Sequence, residues 1–179
     1  FYEQQHARYS QQLQELHQYI KLRMESIPPQ HRILITSHDA FSYFGKKYGI
    51  QVSAMMGVST EADAQTSDME RVVVALEKNK VPAIFIESTI NPKMLQQIAK
   101  DHHVTIGGSL YADSVGEPGT DGDSYVGMLR HNADVIATAL SQPLKPVVLP
   151  GQELNWTLYG LLVILLMLSW LVFIKFLKK

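Results

Sequence analysis

Short apolar runs alternate with stretches of helical spacing along most of this chain, and that alternation admits few folds. Ile33–Thr36, Gln51–Ser59, Ala83–Ile86 and Val104–Ile106, the last continued loosely through Tyr111, read as strands. After them come helical patterns built on Phe41, Phe44 and Tyr48, on Met69, Val72, Val73, Leu76 and Val74, on Met94, Leu95, Ile98 and Ala99, and on Tyr125, Met128, Leu129, Asn132, Val135, Ile136 and Leu140. Strand–helix units in this order predict an α/β fold: a small four-stranded parallel sheet flanked by helices. Capping residues punctuate the pattern. Ser37 or Asp39 can cap the first of these helices and Gly49 can end it; Ser67 caps the second; Asn91-Pro92 opens the third; Asp123 or Ser124 caps the fourth.

The two ends of the chain break the alternation. At the start, Tyr2, His6, Tyr9, Leu13, Leu16, Ile20 and Ile27 form one stripe among Glu, Gln, Arg and Lys, a long amphipathic helix that ends at Pro28-Pro29. His6 and His17 lie on its polar-rich surface and read as solvated. The chain opens at Phe1 inside this helix, without an initiator Met, which suggests a piece of a longer polypeptide. Toward the other end, Pro143, Pro146 and Pro150 stiffen a linker. Leu154–Ile174 then runs for 21 residues without a charge, enough to cross a lipid bilayer as a helix. Trp156, Tyr159 and Trp170 suit its interfaces, and Lys175, Lys178 and Lys179 put the C-terminus in the cytoplasm. Residues 1–153 are then extracytoplasmic on a single-pass protein of the cell membrane. A formal net charge of −1 gives no basis for nucleic-acid binding, and the absence of cysteine excludes disulfides and thiolate metal sites.

Three polar residues fall at predicted strand ends: His38, Glu87 and Asp113. In a parallel sheet these ends share one edge, so residues far apart in sequence can converge there. Imidazole with carboxylate suits a divalent cation such as zinc, manganese or iron, although two ligands alone make a poor site. Other candidates have plainer explanations. His102 and His103 close a helix, where the dipole favours them, and Asp121 and Asp123 lack the terminal Glu of an EF-hand loop. There is no Gly-x-Ser-x-Gly elbow, glycine-rich phosphate loop or HExxH pair, so the chain does not read as an enzyme.

Three segments in sequence order, TSHDAFSYFGKKYGI, FIESTINPKMLQQIA and SLYADSVGEPGTDGDSYVGMLRHNADVIATAL, resemble the C-terminal lobe of the metal-binding solute-binding proteins of ABC transporters, the zinc, manganese and iron group. The resemblance runs from about Tyr2 to Leu140. It implies that residues 1–27 are the long helix linking two lobes, and 30–141 the C-terminal metal-binding lobe. A linker (142–153), a transmembrane helix (154–175) and a basic cytoplasmic tail (176–179) would follow. It further implies that His38 and Asp113 are two of four metal ligands, the others being histidines of an N-terminal lobe absent from this chain. Glu87 would support the site without ligating. The implied function is capture of a divalent cation and its delivery to an ABC permease, with no chemistry on the metal. A membrane-anchored adhesion module without metal transport is the alternative.

Overall fold

Helix α1 (Tyr2–Glu25) carries Leu16, Ile20 and Met24 four residues apart, and this face is buried. The structure, a computed structural model, describes residues 1–57 and 66–143. The predicted α1 stripe holds only in its second half: Tyr2 and Tyr9 are exposed, while Met24 joins the core. The helix stops two residues short of the predicted 27. The Ser26 hydroxyl donates to the Arg23 carbonyl at 2.7 Å, and Ile27 turns inward beyond the helix end. A short 3₁₀ turn (Pro29–His31) leads into strand β1.

Strands β1 (Ile33–Thr36), β2 (Gln51–Ala54), β3 (Ala83–Glu87) and β4 (Thr105–Leu110) alternate with helices α2 (Ser42–Tyr48), α3 (Thr66–Asn79), α4 (Lys93–Asp101) and α5 (Tyr125–Leu140). The pairing corrects the expectation of one four-stranded sheet. β1 pairs with β2 and β3 with β4, each in parallel, as two separate two-stranded sheets. β1 and β3 lie side by side without a ladder. At their ends a side chain takes the place of a ladder bond: the His38 main-chain N–H donates to Glu87 Oε1 at 3.3 Å. β1 is buried along its whole length, as expected for a central strand.

Local signals explain the helix ends. Gly49 takes a left-handed conformation, φ 72°, and closes α2 as glycine does best. Neither Ser37 nor Asp39 caps the start of α2; instead Asp39 Oδ1 accepts from the Ser42 hydroxyl at 2.5 Å. Ser124 caps α5, its Oγ accepting from the Gly127 N–H at 3.1 Å. On α3, Val72 and Leu76 face inward; on α4, Leu95, Ile98 and Ala99 do so. α1 packs along α5, where a polar clamp reinforces the apolar contact. Asp134 Oδ1 accepts from the Tyr19 hydroxyl at 2.5 Å and meets Arg23 Nε at 2.7 Å, while Arg23 also reaches Thr138 Oγ1 at 3.2 Å. The Arg130 guanidinium lies over the Tyr19 ring, 4.1 Å from its centre.

Among the described residues no helix is long and apolar enough to cross a membrane. The apolar run 154–174 lies outside the described residues, as do the end of the Gln51–Ser59 run and most of the proline-rich linker.

Candidate metal centre

The carboxyl end of β1 continues inward instead of turning out to solvent. Ser37 and His38 remain in the core, with His38 only 2% exposed. Main-chain bonds hold them there. Met55 and Met56, just past β2, donate to the carbonyls of Thr36 and Ser37 at 3.1 and 2.9 Å, and Thr36 Oγ1 donates to the His38 carbonyl at 2.9 Å. Glu87 ends β3 and is equally buried. Its Oε1 accepts from the His38 main chain and its Oε2 from His38 Nδ1–H. Asp113 lies three residues beyond β4, with φ 62° and a side chain 57% exposed. Its Oδ2 accepts from His38 Nε2–H at 2.9 Å.

The three strand-end residues singled out in the sequence therefore meet around one imidazole, with a carboxylate at each ring nitrogen. With both carboxylates ionised, the two bonds are satisfied together only when both nitrogens carry hydrogen, which is the imidazolium form. Burial acts to lower the His38 pKa, but the hydrogen bond and charge of Glu87, and then of Asp113, outweigh it and raise the pKa above its ordinary 6.5. Glu87 is also raised above its usual 4.5, because burial penalises its charge more than the contact with His38 restores.

Placement around the ring separates the roles open to the two carboxylates. Asp113 faces Nε2, and Glu87 occupies the opposite, Nδ1 side, so the three groups do not converge on a single point. Among the described residues no group of three or more His, Asp or Glu side chains could hold a metal ion unaided. A cation replacing the Nε2 proton would meet His38 and Asp113. Glu87 would remain behind the ring, fixing its tautomer and orientation. A cavity of about 350 Å³ opens beside Asp113, walled by Phe41, Phe44, Tyr111, Tyr125 and Leu129.

The discounted residues stand apart from this centre. His102 is paired only loosely with Glu77, at 3.8 Å, and Asp123 Oδ2 accepts from the Gly119 N–H at 3.1 Å within its own loop. His6 is exposed as expected. His17 is half-buried and contacts the Tyr48 hydroxyl at 3.2 Å, because α2 packs against that face of α1. Sequence reasoning overlooked Asn132, which it read as one more position in the apolar stripe of α5. Its side chain is 1% exposed and bonds to the main chain of Tyr111, two residues before Asp113.

Residues 1–139 match the family described as zinc-uptake complex component A, periplasmic. The chain is 41% identical over 144 residues to the zinc-binding protein TroA of Treponema pallidum, a match covering 78% of this chain and 47% of that protein. It is 39% identical over 137 residues to the manganese-binding lipoprotein MntA of Bacillus subtilis, covering 74% and 45% respectively. The solved structure of the periplasmic zinc-binding protein TroA from Treponema pallidum superimposes with a TM-score of 0.74, over 78% of this chain and 52% of that one. The chain thus spans about half the length of the curated relatives it matches.

Proposed function

The chain belongs to the ZnuA family of metal-binding solute-binding proteins, and on that premise we propose that it forms the C-terminal lobe of an extracytoplasmic receptor for zinc or manganese. In this reading His38 Nε2 and Asp113 are two ligands, and Glu87 holds His38 in place. Two further ligands come from residues outside this chain, carried on a second lobe, and the loaded receptor hands its cation to an ABC permease. The apolar run 154–174 anchors the lobe in the membrane, leaving 1–153 outside.

One observation carries the site assignment. A buried imidazole is gripped at Nδ1 by one carboxylate and faces a second, half-exposed carboxylate across Nε2 at 2.9 Å. Neutral nitrogen with ionised oxygen suits divalent ions of intermediate softness, which fits zinc and manganese alike.

The site also sets a pH dependence. A cation and a proton compete for Nε2, and the proton is held above the ordinary imidazole range. Metal affinity therefore falls as pH drops through the raised His38 pKa, beginning above about 6.5. Competition titrations with a chelating dye at pH 8, 6.5 and 5 on the full-length protein read this directly; equal affinity at all three would remove His38 from the site. At pH 8, His38→Ala and Asp113→Ala each weaken zinc binding by about tenfold or more. Wild-type affinity in both variants would mean that the metal binds elsewhere. Native mass spectrometry of the protein from its source membrane tests the second lobe and the cargo together, since it reports chain mass and bound ion at once.

A further inference from the structure

Asp113 leaves β4 into a turn, with its backbone in the left-handed region that a non-glycine residue seldom adopts. The three residues before it are tied down in succession. The Leu110 carbonyl accepts from the Ser88 N–H at 2.9 Å, and the Ala112 carbonyl from Thr89 Oγ1 at 3.4 Å, both from the turn after β3. Tyr111 points its main-chain groups the other way, toward the free side of β4, where no strand receives them among the described residues. There the Asn132 carboxamide takes the place of a neighbouring strand. Its Oδ1 accepts from the Tyr111 N–H at 2.9 Å and its Nδ2 donates to the Tyr111 carbonyl at 2.8 Å. A carboxamide is the one neutral side chain that offers a donor and an acceptor with the spacing of a peptide group. The Tyr111 ring is held as well, because Gly122 lies so close that a Cβ there would come within 2.2 Å of the ring.

We propose that Asn132 is a positioning residue for Asp113: by pairing with both main-chain groups of Tyr111, it fixes where β4 ends and so where the Asp113 carboxylate sits relative to His38. The proposal rests on reading Asp113 as a metal ligand. It acts through geometry, since Asn132 is neutral and its carboxamide bonds to the Tyr111 main chain.

The test is a double-mutant cycle in the full-length protein, with zinc affinity and thermal unfolding read on the same four samples: wild type, Asn132→Ala, Asp113→Ala and the double variant. Asn132→Ala is expected to weaken zinc binding by about tenfold when Asp113 is present and by less than about twofold in the Asp113→Ala background. Its effect on the unfolding midpoint should be the same in both backgrounds. If Asn132→Ala does not fold, Asn132→Asp carries the same cycle; it keeps an acceptor for the Tyr111 N–H and loses the donor. An equal loss of affinity in both backgrounds would overturn the proposal and leave Asn132 a general support of the fold, and so would wild-type affinity in the Asn132 variants. If Asp113→Ala itself binds zinc as wild type does, the ligand reading falls first and takes this inference with it.

Discussion

His38 and Asp113 face each other across one hydrogen bond, yet the fold holds them by opposite means. His38 stands at the end of a strand buried on both faces, with Glu87 behind it, and the core itself sets its position. Asp113 is half-exposed on a turn and is held from outside, by ties to the residues that precede it. The buried half is thus bound up with stability, whereas the exposed half depends on how well one turn is fastened. Two residues proposed for the same task should respond to change in different ways.

The largest expected effect is on the buried side. His38→Ala leaves the Glu87 carboxylate in the core without its partner. Breaking a buried pair in this way costs about 3–5 kcal/mol, to be read from denaturant unfolding of the chelated protein. A loss below about 1 kcal/mol would mean that the core does not depend on the pair, and the contrast would fail.

Next comes pH. Both members of the pair have folded-state pKa values above their unfolded ones. The folded chain therefore holds more protons than the unfolded chain, and stability falls as pH rises. The contribution of His38 is fully present below about 6.5 and is lost as pH climbs through its raised folded value; that of Glu87 follows the same sign from about 4.5 upward. In thermal unfolding of the metal-free protein, wild type should lose its advantage over a His38→Gln/Glu87→Gln double variant on going from pH 5 to pH 8. A growing advantage would reverse the assignment of charge.

The smallest stability effect belongs to Asp113→Ala. Its carboxylate is mostly in water, so removing it shifts unfolding by no more than about 1 kcal/mol, even though its proposed effect on metal affinity matches that of His38→Ala. A large destabilisation here would erase the difference between the two halves.

The two halves also differed in how far they could be read from sequence. The edge where His38, Glu87 and Asp113 meet was legible, because parallel strands bring their ends together and each residue followed an apolar run. The division into two sheets was not legible, since the pattern of each strand does not record which of its neighbours it shares a ladder with. Asn132 was hidden for a similar reason. Its spacing placed it on the buried face of α5, and its partner is the main chain of Tyr111, which leaves no mark on residue identity. The α1 stripe misled in its first half, because spacing predicts which residues share a face but not whether anything covers it.

The clamp of Tyr19, Arg23 and Asp134 has a mechanical consequence. Among the described residues this clamp grips α1 at Tyr19 and Arg23, and the residues from Phe1 to Tyr19 span about 27 Å at 1.5 Å per residue. That stretch therefore behaves as a cantilever. Each degree of angular play at the grip swings the Phe1 end by about 0.5 Å over that arm. Metal–ligand distances tolerate only about 0.2 Å, so anything carried at the Phe1 end that had to meet His38 and Asp113 on one ion would need a joint stiff to about 0.4 of a degree. An ion pair backed by a tyrosine hydroxyl and a stacked guanidinium gives that joint several bonds to resist the torque.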